Sequence, residues 1–276
     1  MSRIEEALEK AAQLRSNQDE AISGERRDRT PDNHTPPPIQ GGGRMQIKNQ
    51  LLVTANDPNT PVAEEYRKLK SVLVKLTREG SLKNMLLVTS SVSSEWKSIT
   101  ALNLALAMAM EFDHTVLLID ADLRKPSIHS YLGMEQGAGL SECLQDGANV
   151  QDVLIKTGIG RLSVLPAGRK VRNPAEIFSS QKTKDFFSGI KNRYRDRYII
   201  IDTPPVLPFA ETRSMSSFAD GVVLVIKEGS VPLRNVTETL DCLKGTDILG
   251  IVYNDTTQDG HSSSHEYYRN GYPSIA

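Results

Sequence analysis

Lys97 and Ser98 follow a short apolar run, Met85 to Val88, and a stretch of small polar residues; an apolar-periodic segment from Ile99 to Met110 comes next. Strand, tight loop, Lys-Ser and helix, in that order, make a phosphate-binding loop. Backbone N–H groups cradle the anion, the ammonium reaches its terminal oxygens, and the hydroxyl takes a divalent cation. Two further segments carry carboxylates out of buried strands. Residues 116–126 read VLLIDADLRKP, with Asp120, Asp122 and Arg124, and residues 198–206 read YIIIDTPPV, with Asp202. A nucleoside triphosphate with Mg2+ needs this inventory: a cation for phosphate, a hydroxyl for the metal, and carboxylates for the metal or its waters. Lys97 would reach the β- and γ-phosphates. Ser98 would ligate Mg2+ at a helix N-terminus, where the macrodipole favours anions. A lone Asp at a strand end is commonly a cap. Two such segments after a Lys-Ser element favour the phosphate reading.

The loop itself, SSVSSEWKS, lacks glycine. Trp96 stands immediately before Lys97, and Ser94 two residues earlier, where such cradles use Gly. Glycine tolerates positive φ there and lets backbone amides approach phosphate without a Cβ. A left-handed conformation costs another residue about 1–2 kcal/mol. The bulk of the indole is the larger obstacle if it points into the cradle.

These residues need a scaffold. Strand candidates lie at 84–89, 115–119, 161–165, 198–201, 221–226 and 248–253, and helices at 61–79, 99–111, 181–194 and 232–243. Solid runs such as VLLI, YIII and VVLVI suit strands buried on both faces. Their alternation with helices predicts an α/β fold with a doubly wound, mainly parallel sheet. Ligands bind outside the carboxyl ends of such strands, where the loops after Thr89, Ile119 and Ile201 would open. The domain is expected over 51–255. Residues 1–16 read as a short amphipathic helix, either docking a partner or frayed. Residues 17–50, with Pro36, Pro37, Pro38 and Gly41, Gly42, Gly43, read as a disordered linker. Residues 256–276 read as a flexible tail bearing Tyr267, Tyr268 and Tyr272.

The 276 residues carry 33 Lys+Arg against 34 Asp+Glu, a formal net charge of −1, so no basic excess points to nucleic acid. The 2 cysteines, Cys143 and Cys242, sit in unrelated contexts, which fits a reducing compartment. No apolar run approaches the roughly 20 residues that span a bilayer, so a cytoplasmic protein is expected. His261 and His265 lie in the polar tail without further ligands and suggest no metal site.

With these motifs in place, the chain resembles a bacterial protein-tyrosine kinase of the capsule and exopolysaccharide type, a MinD-related branch of the P-loop ATPases. The resemblance rests on the loop, on LLIDADLR, on IIIDTPP, on LPAGRKVRNPAEIFSS and on the tyrosine cluster, and covers roughly residues 51–276. The opening MSRIEEALEKA is similar to the subgroup encoded with exosortase or exopolysaccharide loci. The resemblance implies a P-loop NTPase fold and tyrosine autophosphorylation with ATP and Mg2+. It implies Asp120 as the base for the tyrosine hydroxyl, with Asp122 and Ser98 holding Mg2+ and Asp202 supporting through water. The nucleotide site would comprise Ser94, Glu95, Trp96, Lys97, Ser98, Ile99, Arg124 and Asn254, the last near adenine. Tyr267, Tyr268 and Tyr272 would be the phosphoacceptors. The family's ExxRxxR ring-assembly motif reads here as Glu64, Arg67 and Lys70, the last without the bidentate fork of Arg; these three also fit a plain charged helix face. The family loop is SSxPGEGKS. Here Ser93, Ser94 and Trp96 replace its Pro and both glycines.

A separate membrane-spanning chain-length regulator is the implied partner, recruiting a ring-like homo-oligomer to the inner face of the plasma membrane. The replaced glycines raise an alternative, a pseudokinase that acts as an assembly module of the same export system. A MinD- or ParA-type positioning ATPase would carry an extra Lys early in the loop; Ser91 and Val92 stand there instead.

Overall fold

The apolar runs form the expected strands; those at 85–90, 115–120, 197–202 and 221–227 are buried on both sides, while the run at 248–254 is partly exposed. In this computed structural model, residues 45–78, 83–111, 115–193 and 197–256 are described. The strands are β1 (Met85–Ser90), β2 (Thr115–Asp120), β3 (Ile155–Lys156), β4 (Leu162–Leu165), β5 (Arg197–Asp202), β6 (Gly221–Lys227) and β7 (Ile248–Asn254). They make one 7-stranded sheet in the order β3-β4-β2-β5-β1-β6-β7. All neighbours pair in parallel except β3 with β4. The antiparallel edge strand β3 is only 2 residues long, too short to leave a periodic signal.

The sheet separates two cores, and alternate residues of one strand enter different ones. Leu86, Val88, Val116, Leu118 and Ile200 pack into one. Met85, Leu87, Leu117, Ile119, Ile199 and Ile201 pack into the other.

Helices cover both faces. In chain order they are α1 (Val53–Asn56), α2 (Pro61–Arg78), α3 (Lys97–Ala109), α4 (Ile128–Tyr131), α5 (Leu140–Gln145), α6 (Val150–Val153), α7 (Pro174–Ser179), α8 (Gln181–Arg193), α9 (Glu211–Ser216) and α10 (Leu233–Cys242). The doubly wound α/β architecture is therefore as expected. Pattern reading overlooks the helices of 4–6 residues, which show too few turns for a period. Helix α3 is buried at every residue after Lys97, as a helix that is apolar all round must be. It joins the first core through Leu102, Leu106 and Met108.

Two boundaries shift. The linker expected over 17–50 ends sooner: the Met45 N–H donates to the Thr157 carbonyl (2.9 Å), and Met45 and Ile47 pack on the first core. Helix α3 starts at Lys97 rather than Ile99. The helix expected at 1–16, the first part of the linker, and the tail from residue 257, with its three tyrosines, lie outside the described residues.

One glycine in the NP-containing stretch has a steric reason. Gly168 sits at φ +84, and a Cβ there would meet the Glu142 carboxylate at 2.1 Å. That carboxylate accepts from the N–H groups of Gly139 (2.7 Å) and Arg169 (3.1 Å), which locks the turn before α5. Pro174 then opens α7, where its missing N–H costs nothing.

Candidate functional site

Strand order decides the site. β2, β5 and β1 are adjacent and parallel, so their carboxyl ends open side by side. Asp120 and Asp202 are register partners, and Val88 of β1 pairs with Asp202 from the other side. The chain runs from β1 outward to β2, returns to insert β5 between them, and then crosses to β6. Such a reversal leaves a crevice at the carboxyl edge.

The loop after β1 keeps a cradle-like backbone without glycine. Ser94 has φ 69 and Trp96 has φ 66, so both substituted positions hold the left-handed conformation. Each costs about 1–2 kcal/mol. A brace offsets this. Glu95, fully buried, turns its carboxylate into the loop and accepts from the N–H groups of Val92 (2.8 Å) and Lys227 (3.2 Å). Burial raises the Glu95 carboxyl above its ordinary value, against the pull of those donors. Replacing Glu95 by Ala should lower stability by about 2 kcal/mol, because two backbone donors lose their acceptor. Denaturant unfolding checks this, with Glu95→Gln expected to lose less.

The Trp96 indole leans toward β6. The Lys227 ammonium lies 5.2 Å from its ring centroid, and Lys227 also pairs with Asp255 at 2.7 Å. The Lys97 side chain goes the opposite way. Its Nζ lies 2.9 Å from Asp122 Oδ2, 3.4 Å from Asp202 Oδ1 and 3.2 Å from Ser98 Oγ. Because β5 and β6 flank β1 on opposite sides, the indole and the ammonium do not compete for one space.

Three carboxylates face one ammonium in a dry pocket. Burial opposes the charge on Lys97, but Asp202 and Asp122 outweigh it and hold the ammonium above its ordinary pKa. Burial lifts the Asp202 carboxyl, with Lys97 opposing. Burial and then the Asp202 charge push Asp120 up to about 7, against the Ile128 and Ser127 N–H groups and Lys97. Asp120 Oδ2 accepts from Ser127 and Ile128 N–H, both at 3.1 Å, and Oδ1 accepts from Asp122 N–H at 3.2 Å. Asp202 Oδ2 is buried with no hydrogen-bond partner among the described residues.

That orphan oxygen tests whether Mg2+ fits. Ser98, Asp122 and Asp202 supply hard oxygen donors, one of them unsatisfied. Among the described residues no group of three or more His, Cys, Asp or Glu forms a cage. Mg2+ is usually held by one or two carboxylates and substrate phosphates rather than by a protein cage, so the donor set fits.

Other expected site residues are placed less directly. Ile99 is buried in α3. Arg124 Nε donates to the fully buried Glu211 (2.6 Å), and its guanidinium stacks over Phe209 at 4.7 Å. Asn254 Nδ2 donates to Thr100 Oγ1 (2.8 Å), which donates to the Trp96 carbonyl (3.1 Å). On α2, Arg67 Nε donates to Glu64 (2.6 Å), and its Nη1 donates to the Pro58 carbonyl (2.6 Å). Lys70 is buried and paired with Glu111, so it differs from the plain charged face considered for this helix.

Two residues of the site went unnoticed in the sequence. Lys227 ends the apolar run of β6, the same signal that marked Asp120 and Asp202. Glu211 carries no local signal at all.

A mostly parallel sheet whose β1 runs through a Lys-Ser loop into a buried helix, with carboxylates on the next two strand ends, defines a P-loop NTPase fold. Residues 96–246 match the family model described as AAA domain. Tyrosine-protein kinase YwqD of Bacillus subtilis (strain 168) is 32% identical over 229 residues, 82% of this chain and 93% of that protein. Tyrosine-protein kinase CpsD of Streptococcus agalactiae is 32% identical over 219 residues, 78% of this chain and 91% of its own. The crystal structure of the chimerical protein CapA2B2 superposes with a TM-score of 0.70 at 29% identity, covering 78% of this chain and 94% of that one. The septum site-determining protein MinD with Mg-ADP from Pyrococcus horikoshii shares the fold, with a TM-score of 0.51 at 23% identity over 61% of this chain and 68% of that one. The chain belongs to the bacterial tyrosine-protein kinase family.

Proposed function

We propose that this protein is an ATP- and Mg2+-dependent tyrosine autokinase that controls exopolysaccharide polymerisation or export by phosphorylating Tyr267, Tyr268 and Tyr272. One observation carries the reading: Lys97, Ser98, Asp122 and Asp202 converge within hydrogen-bond reach while the loop keeps positive φ at both glycine-lacking positions.

Lys97 draws the terminal phosphate oxygens once they displace its carboxylate partners. The α3 N-terminus and the loop amides hold the remaining negative charge. Ser98, Asp122 and Asp202 would hold Mg2+, which would supply neutralisation of the phosphate charge as it develops. Asp120 accepts the phenol proton, and a carboxyl near neutral pKa suits that task. Its oxygens are engaged by Ser127, Ile128 and Asp122, so it acts once the 127–128 turn gives way.

Glu64 and Arg67 serve subunit contacts in a ring, with the tail of one subunit reaching the next, while Lys70 is engaged by Glu111 within its own chain. Among the described residues no helix is long and apolar enough to cross a membrane. A separate membrane-spanning chain-length regulator brings the kinase to the inner face of the plasma membrane.

Incubation with Mg-ATP and such a regulator should label the tail. Replacing Tyr267, Tyr268 and Tyr272 together by Phe should remove essentially all phosphotyrosine seen by mass spectrometry. Persistent labelling elsewhere would move the acceptor site. The non-glycine side chains of Ser94 and Trp96, both at positive φ in the loop, favour a second reading, an assembly module without turnover. It expects no ATP binding by calorimetry, with recovery when Ser94 and Trp96 both become Gly.

A further inference from the structure

We infer that Trp96, the residue that breaks the glycine pattern of the phosphate loop, is a stacking platform for the nucleoside base; the inference rests on the nucleotide reading of the site. The polarity of the crevice carries it. Lys97, Asp122 and Asp202 draw the metal-bearing, terminal end of a phosphate chain toward β5 and β2. A chain seated in the loop then points its nucleoside the other way, toward the carboxyl ends of β6 and β7. Two exposed aromatic side chains lie on that side, Tyr253 of β7 at 55% and Trp96 at 39%, and Trp96 is the one that stands in the loop beside Lys97.

The indole is held for that role. Trp96 holds a left-handed backbone (φ 66, ψ 25) immediately before α3, and the Lys227 ammonium lies 5.2 Å from the ring centroid. Lys227 is itself pinned by the Asp255 carboxylate and by its own N–H to Glu95. Asn254 reaches the first turn of α3 through Thr100, so the ends of β6 and β7 converge on one side of the indole. A purine laid on the ring meets a π-face whose neighbouring cation adds electrostatic attraction. Stacking of this kind tolerates different bases, because every base has a π-face. The platform therefore favours a nucleoside attached to the phosphates over bare polyphosphate, without separating adenine from guanine. A relative with glycine at this position has no side chain with which to make the contact.

The chain has 1 tryptophan, so its emission reports this residue alone. Purified protein with Mg2+ is titrated with ATP, GTP and inorganic tripolyphosphate, read in parallel by calorimetry and by tryptophan fluorescence. ATP and GTP should both change the emission, at the midpoints seen by heat. Tripolyphosphate should give heat with little optical change. Trp96→Leu keeps the same positive-φ strain and removes the ring. It should weaken ATP about tenfold, the scale of one lost base–aromatic stack, and leave tripolyphosphate unchanged. Trp96→Phe should retain most of the ATP affinity. Heat with ATP but unaltered emission, or equal losses for ATP and tripolyphosphate in Trp96→Leu, overturns the platform and leaves the nucleotide site standing. No heat with any of the three overturns the nucleotide reading, and the platform with it.

Discussion

Lys97→Met is expected to reduce tail phosphorylation by at least about 100-fold and to destabilise the ligand-free fold. The first effect follows from removing the ammonium to which the proposed function gives the terminal phosphate; loss of a single preorganised electrostatic partner typically costs 100- to 1,000-fold. The second follows from what stays behind. Asp122 and Asp202 keep their positions but lose the cation 2.9 and 3.4 Å away. Uncompensated buried charge of this kind costs about 3–5 kcal/mol. At the low end, that moves the thermal midpoint by roughly 6–12 °C in a domain of this size. The sign can be checked with pH. The raised pKa of Lys97 means its stabilisation is complete below the ordinary lysine value, so wild type enjoys it throughout the neutral range. In the variant Asp202, already raised by burial, loses the Lys97 charge that opposes its protonation and takes a proton more readily, so the deficit should be larger at pH 8 than at pH 5. Undiminished phosphotyrosine in Lys97→Met would give the phosphate-binding role to another cation.

The second large effect concerns Asp120. Its carboxyl titrates near 7 in the fold, against an ordinary value near 3.8. Between those values the unfolded chain has released its proton while the folded chain keeps it. Folding therefore binds protons in that window, and stability falls as pH rises from about 4 to about 7, levelling above. The full difference amounts to about 4 kcal/mol. Asp202 shifts in the same direction, so the two add to one trend. Urea unfolding without nucleotide or metal should give a higher midpoint at pH 5 than at pH 8. Asp120→Asn should flatten that slope, since the amide has no proton to release. A midpoint that climbs between pH 5 and 8 would contradict the burial of these carboxylates. Added Mg2+ should reduce the loss at high pH, because a cation beside Asp202 favours the ionised forms.

The chemistry-bearing residues could be read because they sit at the ends of solid apolar runs. A run such as VLLI or YIII must be a strand buried on both faces, and the first polar residue after it must emerge at the carboxyl edge. Asp120 and Asp202 follow from that logic, Lys97, Ser98 and Asp122 from the motifs that continue it, and the structure brings the side chains of Lys97, Ser98, Asp122 and Asp202 together. The same logic would have flagged Lys227, had the end of β6 been weighed with the others. Arg124 was legible as an edge residue, but its partner Glu211 was not: 87 positions separate them, and the pairing exists only because α9 follows β5 beneath the loop after β2. Lys70 likewise reads as part of a polar helix face, yet it closes on Glu111, 41 positions away.

By itself, the sequence determined the α/β class, the positions of six of the seven strands, the loop between β1 and α3, and the kinase resemblance. These depend on short-range patterns: period, apolar run length and the residue at a strand's end. Only the tertiary structure decided where the Trp96 indole goes. That depends on which strand lies beside β1. With β5 on one side and β6 on the other, the ammonium of Lys97 finds carboxylates and the indole finds Lys227, 131 residues further on. No local pattern encodes strand order, because it emerges from packing both faces of the sheet at once.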